Sequence, residues 1–254
     1  MGIPVDVNGS WKDGKPYVNV NGSWKEVQYA YANVNGSWKQ VFANFNKATG
    51  GTITDVDNYN GTGQKWRVHE FKSNSTFSVQ IAAQPFHVLV CGGGGGGGYA
   101  WSQFNGGGPG IGGKPTIVTN ALAVGSFAVT IGGGGHPVGG NYKRGTTGGA
   151  SSLGNITGNG GSGGAFNGGY GGNAYSQNDR VKSYFNNPDH WVDSDITGTT
   201  AKYGRNGSPG GPQFEFASGG FPGGGGRGGG SGWGTGGHPQ NGSAGVVIVA
   251  YQIG

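Results

Sequence analysis

Five histidines and eleven acidic residues are the material this chain of 254 residues has for acid–base or metal chemistry. None of His69, His87, His136, His190 and His238 stands at metal-ligand spacing from another. His69 and His87 fall in apolar runs and are expected as strand residues. Asp55-Val56-Asp57 with Asn60-Gly61 imitates a calcium loop, but Tyr59 replaces the fifth-position ligand and the distal Glu is missing. Asp189, Asp193 and Asp195 could supply oxygens to a cation, with a solvated loop as the expected reading. Glu70, Glu215, Asp189 and Asp195 would be the carboxylates of a glycoside hydrolase. With so few acidic residues, and no Ser/His/Asp arrangement, the chain is not expected to be an enzyme.

Glycine next to a strand raises the question of phosphate binding. Val88–Gly98 runs from an apolar strand into seven glycines, but a dinucleotide turn must open a helix and be followed by an acidic residue about 20 positions on. Tyr99–Gly106 opens no helix, and no acidic residue occurs between Glu70 and Asp179. Gly108–Lys114 approaches a P-loop, yet Pro115 stands where Ser or Thr must be. No cofactor and no metal is expected.

Aromatic side chains between glycine tracts and in a polar stretch at 175–216 are the more informative candidates. Tyr99, Trp101, Tyr184, Phe185, Trp191, Tyr203 and Trp233 could stack on the sugar rings of a cell envelope, with His190 and Arg205 beside them. The reading placed slightly ahead of this is that they cap glycine-rich backbone or bury a subunit interface.

The elements that must position these residues follow from composition. Glycine makes up 63 residues and proline 11, while charged residues are only 11% and aromatics 12%. Disordered chains are poor in aromatics and rich in charge, so ordered packing is expected. The formal charge of +5 is spread out, with no run longer than Lys143-Arg144, and phosphate binding needs clustered cations; nucleic acid is not an expected partner. The lone Gly226-Arg227-Gly228-Gly229 is too little for an RNA-binding segment. One cysteine, Cys91, excludes an intrachain disulfide. The amino terminus lacks the order of a signal peptide, and no apolar stretch approaches the roughly 20 residues of a membrane span. Eight Asn-x-Ser/Thr sequences are therefore read as turn chemistry.

Val-Asn-Gly-Ser-Trp-Lys occurs three times, at Val7–Lys12, Val20–Lys25 and Val34–Lys39. Asn-Gly between alternating apolar residues predicts a hairpin, so residues 1–48 are expected as three short hairpins displaying Trp11, Trp24 and Trp38 for attachment. Residues 49–65 lack periodicity and are expected as a linker. From 66 to 254, strands are expected at Trp66–Phe71, Thr76–Ala82, Phe86–Cys91, Thr116–Val118, Ser126–Ile131 and Gly245–Ile253. Glycine tracts at Gly92–Gly98, Gly106–Gly113, Gly132–Gly140, Gly145–Gly172 and Gly219–Gly237 lie between them. Both ends of a tract are thus pinned in sheet. The fold class is all-β, without significant α-helix. Extended three-fold helices can pack closely only where glycine leaves room, so the tracts are expected to pack side by side through main-chain hydrogen bonds.

His69-Glu70-Phe71, Thr76–Val79 and Val88–Cys91 before seven glycines resemble the glycine-rich domain of phage tail proteins. So do Ala123–Ile131 before Gly132–Gly135, Gly149–Gly154 and the ending Gly242–Tyr251. The resemblance covers roughly Arg67 to Tyr251. It implies a β-sandwich whose loops are replaced by polyglycine helices, in a structural protein of a tail tip, tail fibre or distal adhesin. It further implies localisation on the virion tail after assembly in the host cytoplasm, and a homo-oligomer, with a trimer expected. The partners it implies are other tail proteins, through residues 1–48, and a host cell-surface glycan or protein. Tyr175–Phe216 and Cys91 depart from the family pattern.

Overall fold

Asn21-Gly22 and Asn35-Gly36 both take the left-handed backbone, with φ of 52° and 83° in the first and 53° and 79° in the second. This is the twist a two-residue turn must have to join antiparallel strands. The computed structural model describes residues 3–7, 10–14, 16–27, 29–43, 45–99, 107–108, 110–139, 143–165, 192–204, 221–226 and 238–254. Among them the chain is all-β, its sheets are antiparallel, and its one helical element is a 3₁₀ turn at Tyr59–Gly61. No helix among the described residues is long and apolar enough to cross a membrane.

Three separate two-stranded sheets open the chain. Strand β1 (Ile3–Val7) pairs with β2 (Ser10–Gly14), β3 (Tyr17–Val20) with β4 (Ser23–Glu26), and β5 (Tyr29–Val34) with β6 (Ser37–Ala43). The chain then enters the body through Asn46, whose buried amide bonds the main chain at three points. Its Oδ1 accepts from the N–H groups of Ala83 (2.8 Å) and Gln84 (2.9 Å), and its Nδ2 donates to the Gln84 carbonyl at 2.9 Å.

The body holds two five-stranded sheets. The next strands in chain order are β7 (Lys47–Thr49), β8 (Thr52–Val56), β9 (Trp66–Phe71), β10 (Ser75–Ile81), β11 (Phe86–Cys91) and β12 (Pro115–Asn120). After them come β13 (Gly125–Thr130), β14 (Ser151–Leu153), β15 (Ile156–Gly158) and, beyond the short pair β16 (Val192–Ser194) and β17 (Ala201–Tyr203), β18 (Val246–Gln252). One sheet has the order β15-β14-β13-β10-β7 and the other β12-β11-β18-β9-β8. Residues 49–65, expected as a linker, are thus partly sheet. Thr52-Ile53-Thr54-Asp55-Val56 pairs along β9 as an edge strand, and its Thr, Ile and Val residues favour that geometry.

Alternate residues of the two sheets meet in one core. Ala48, Phe77, Val79, Val129, Leu153 and Ile156 come from the first sheet, and Phe71, Phe86, Val88, Val90, Val247, Val249 and Tyr251 from the second. Phe77 sits edge-on to both Phe71 and Phe86, with centroids 6.1 and 5.9 Å away. Burying each large apolar side chain here contributes about 1.5–3 kcal/mol. The other face of the second sheet is also covered. Val68, Leu89, Cys91, Val246, Ile248 and Ala250 pack against Ile196 and Tyr203. Two covered faces explain why Val88–Cys91 and Val246–Tyr251 are unbroken apolar runs instead of alternating ones.

Candidate functional site

Six body strands, β11 to β15 and β18, run directly into or out of glycine-rich segments. Gly92–Gly98, continuing β11, is buried throughout and lies at the centre of the others. Its N–H groups donate in rotation to three neighbours. Gly93 and Gly96 bond the carbonyls of Gly149 and Thr146 (2.8 and 2.9 Å), Gly94 and Gly97 those of Ser243 and Gln240 (both 2.9 Å), and Gly95 and Gly98 those of Ile111 and Gly108 (2.8 and 2.9 Å). Its carbonyls accept from three more segments, with Gly161 and Gly164 donating to Gly93 and Gly96, Gly135 to Gly94, and Gly226 to Gly95.

These six neighbours are also bonded to one another in a closed ring. Going round, 143–149 meets 132–136, then 240–245, 223–226, 108–113 and 159–165, which returns to 143–149. Segments that accept from the centre alternate with segments that donate to it. The bonding repeats every three residues, so that the N–H groups of Gly93–Gly98 and the carbonyls of Gly93–Gly96 all find main-chain partners without any side chain, as buried backbone requires. Glycine is obligatory at such separations. A Cβ on Gly93, Gly94 or Gly95 would fall closer than 3.0 Å to the backbone of Gly133, Gly224 or Ser162 respectively.

The aromatic candidates divide. Trp101, Tyr184, Phe185, His190, Trp191, Arg205 and Trp233 lie outside the described residues. Tyr99 is half-buried and closes the central tract, exchanging main-chain bonds with Lys143 at 2.9 and 3.2 Å. Tyr203 is only 3% exposed. Its ring covers the outer face of the second sheet, so it is not available to stack on a sugar. That corrects the sequence expectation, and burial also raises its phenol's pKa. Trp24 and Trp38 are each 71% exposed. Trp11 faces Asp6 across β1–β2 in the strand register. Sequence reasoning passed over Tyr17 and Tyr31, 53% and 55% exposed, although the Asn-Gly turns fix the register that places them beside Trp24 and Trp38.

Asp55, Asp57, Asp193 and Asp195 are each engaged within the chain. Arg67 grips Asp55 through two bonds of 2.7 and 2.8 Å, and the guanidinium holds that carboxyl below its ordinary range. Asp57 pairs with Lys65 at 3.1 Å and Asp193 with Lys202 at 2.9 Å, while Asp195 accepts from Asn60 Nδ2 at 2.9 Å. The oxygens that imitate a calcium loop therefore face cations of the chain itself. Among the described residues no three His, Cys, Asp or Glu side chains gather as metal ligands would.

His69 is fully buried in β9. Its Nδ1 lies 2.7 Å from the Gly50 carbonyl, so the proton resides there, and Nε2 accepts from the Tyr251 hydroxyl at 3.2 Å. That hydroxyl oxygen accepts the Ala48 N–H at 3.1 Å. The network ties the corner where the chain passes from one sheet to the other. Burial lowers the imidazole pKa, partly opposed by the Gly50 carbonyl. Cys91, at the end of β11, is buried beneath the first glycines, and desolvation pushes its thiol up to about 12. No family model matches the chain, and no curated protein matches it significantly.

Proposed function

We propose that this chain is a non-enzymatic structural protein of a phage tail tip or tail fibre, contributing to attachment at the host cell surface. In this reading the two sheets form a β-sandwich, and the seven glycine-rich segments are polyglycine-II helices packed one inside six. The hairpin repeats of residues 1–48 join the chain to other tail proteins, and the chain assembles as a homo-oligomer, with a trimer expected. The observation that carries the reading is the three-residue bonding cycle of Gly92–Gly98. It builds a rigid projection from backbone alone on one end of the sheets, which suits a part that must hold a surface away from a particle. The sequence resemblance over roughly Arg67 to Tyr251 points the same way.

A second reading, purely architectural decoration of the particle, is favoured by one observation. Of the described aromatics of the candidate receptor surface, Tyr203 is buried against the second sheet and Tyr99 is half-buried with its main chain tied to Lys143. The two readings separate in one experiment. Antibody to the purified chain should label the tails of intact particles under either, and unlabelled particles would remove both. Labelled protein should bind one bacterial host saturably, and lose that binding on deletion of 175–190, under the first reading only. The deletion stops short of 192–204 because Ile196 and Tyr203 cover the sheet.

A further inference from the structure

The second and third hairpin units, β3–β4 and β5–β6, repeat a surface as well as a sequence. Side chains paired across an antiparallel ladder lie on the same face. In β3–β4, Asn19 stands opposite Trp24 and Tyr17 opposite Glu26. In β5–β6, Asn33 stands opposite Trp38 and Tyr31 opposite Gln40. One face of each unit therefore carries Tyr, Asn and Trp in the same arrangement. The exposures match as well, at 53% and 71% for Tyr17 and Trp24 against 55% and 71% for Tyr31 and Trp38. Asn19 commits its Oδ1 to the turn, accepting the Gly22 N–H at 2.9 Å, which leaves its NH₂ as the donor of that face.

Charge and size select the ligand. Lys25 and Lys39 stand opposite Val18 and Ala32, on the reverse faces. The Tyr–Asn–Trp face of β5–β6 carries no ionisable charge, and that of β3–β4 carries only Glu26, so neither complements an anionic polymer. A stable protein partner takes about 20–30 residues a side, whereas each face offers four side chains. Two aromatic rings with an amide between them match the apolar face and hydroxyl edge of a pyranose, since such rings present an apolar body beside polar groups. Recurrence of the face fits a ligand whose own chemistry recurs.

We propose that Tyr17–Asn19–Trp24 and Tyr31–Asn33–Trp38 are two subsites for one neutral polysaccharide. The reverse faces, with Val18, Val20 and Val34, remain for joining the chain to its particle. Glycan binding at these units does not depend on the virion reading, and its test is independent of particles.

The test is affinity electrophoresis of the full chain through gels containing dextran, a soluble β-glucan or neutral polysaccharide extracted from bacterial envelopes. At least one should retard the protein. Trp24→Ala and Trp38→Ala should each weaken binding about tenfold, and the double variant about a hundredfold or more, as linked subsites do. Tyr17→Ala with Tyr31→Ala should repeat the loss, Lys25→Ala should have no effect, and the body's melting should be unchanged in all. Absence of retardation by all three polysaccharides would overturn the proposal, as would full retardation of the double Trp variant. A double variant that changes only the sedimenting mass would also overturn it, and would make the face a contact between copies of this chain.

Discussion

Replacing Gly95 by Ala tests the central tract at a crowded point. Its new Cβ would lie closer than 3.0 Å to the Ser162 carbonyl oxygen and carbon, and neither is the movable end of a side chain. That oxygen accepts the Ile111 N–H at 2.9 Å, and the Ile111 carbonyl accepts the Gly95 N–H at 2.8 Å. Relieving the clash means moving 159–165 outward, which opens the first bond and strains the second. Each buried main-chain group left without a partner costs about 1–3 kcal/mol, so two give about 2–6 kcal/mol. Stiffening the unfolded chain returns only about 0.4–1 kcal/mol. The net loss should be about 1–5.5 kcal/mol, and at about 2–4 °C per kcal/mol for a domain of this size the melting temperature should fall by roughly 2–22 °C, with the middle of that range at about 10 °C. Gly133→Ala is the control, because nothing lies within 4 Å of its Cβ position and its φ is not positive. Thermal unfolding followed by circular dichroism on both variants decides the matter. If Gly95→Ala melts within a degree or two of Gly133→Ala, the bonded ring is not what holds this region together.

Cys91 should resist a thiol reagent at pH 8 in the folded protein and react at once in denaturant, since its thiol is buried and pushed up to about 12; labelling followed by mass spectrometry checks it. The lowered pKa of His69 means that the unfolded chain binds its proton first as the pH falls. Stability should therefore decline from about pH 6.5, the unfolded value, and level off below the folded one; denaturant titrations should show a shallower slope in His69→Gln than in wild type, the remainder coming from His87, whose pKa burial also lowers. Asp55, held low by Arg67, adds a second decline on acidification, below about pH 4, which Asp55→Asn should remove. Tyr203→Ala should uncover the outer face of the second sheet and lower unfolding free energy by about 3–5 kcal/mol, as large-to-small aromatic changes do, measured by urea unfolding.

Strands with both faces covered were the easiest to read. Phe86–Cys91 is apolar at nearly every position, and its limits coincide with β11. Thr52–Val56 escaped notice because an exposed edge strand has no buried face to impose an apolar pattern; four of its five residues are exposed. Tyr203 was misplaced for a related reason. Its strand is three residues long, and the surface that buries it belongs to β9, β11 and β18, more than forty residues distant along the chain. The glycine tracts were visible, but their order around Gly92–Gly98 was not. Without side chains a tract carries no mark of its neighbours, so the sheet strands that anchor its ends decide which tracts meet. The Tyr17 and Tyr31 faces were legible in principle, because an Asn-Gly turn sets which residues oppose each other.

The bonded ring also has a mechanical meaning. In the extended three-fold form proposed above, seven residues at about 3.1 Å each would make Gly92–Gly98 a post about 22 Å long. Its hydrogen bonds lie across the post, not along it. A pull on the far end loads those bonds together in shear, whereas a two-stranded turn pulled open yields one bond at a time. Force arriving at Tyr99 would thus be shared among six surrounding segments and passed into both sheets through β11 to β15 and β18. The projection should bend little and tear late, which is the behaviour required of a strut and not of a tether.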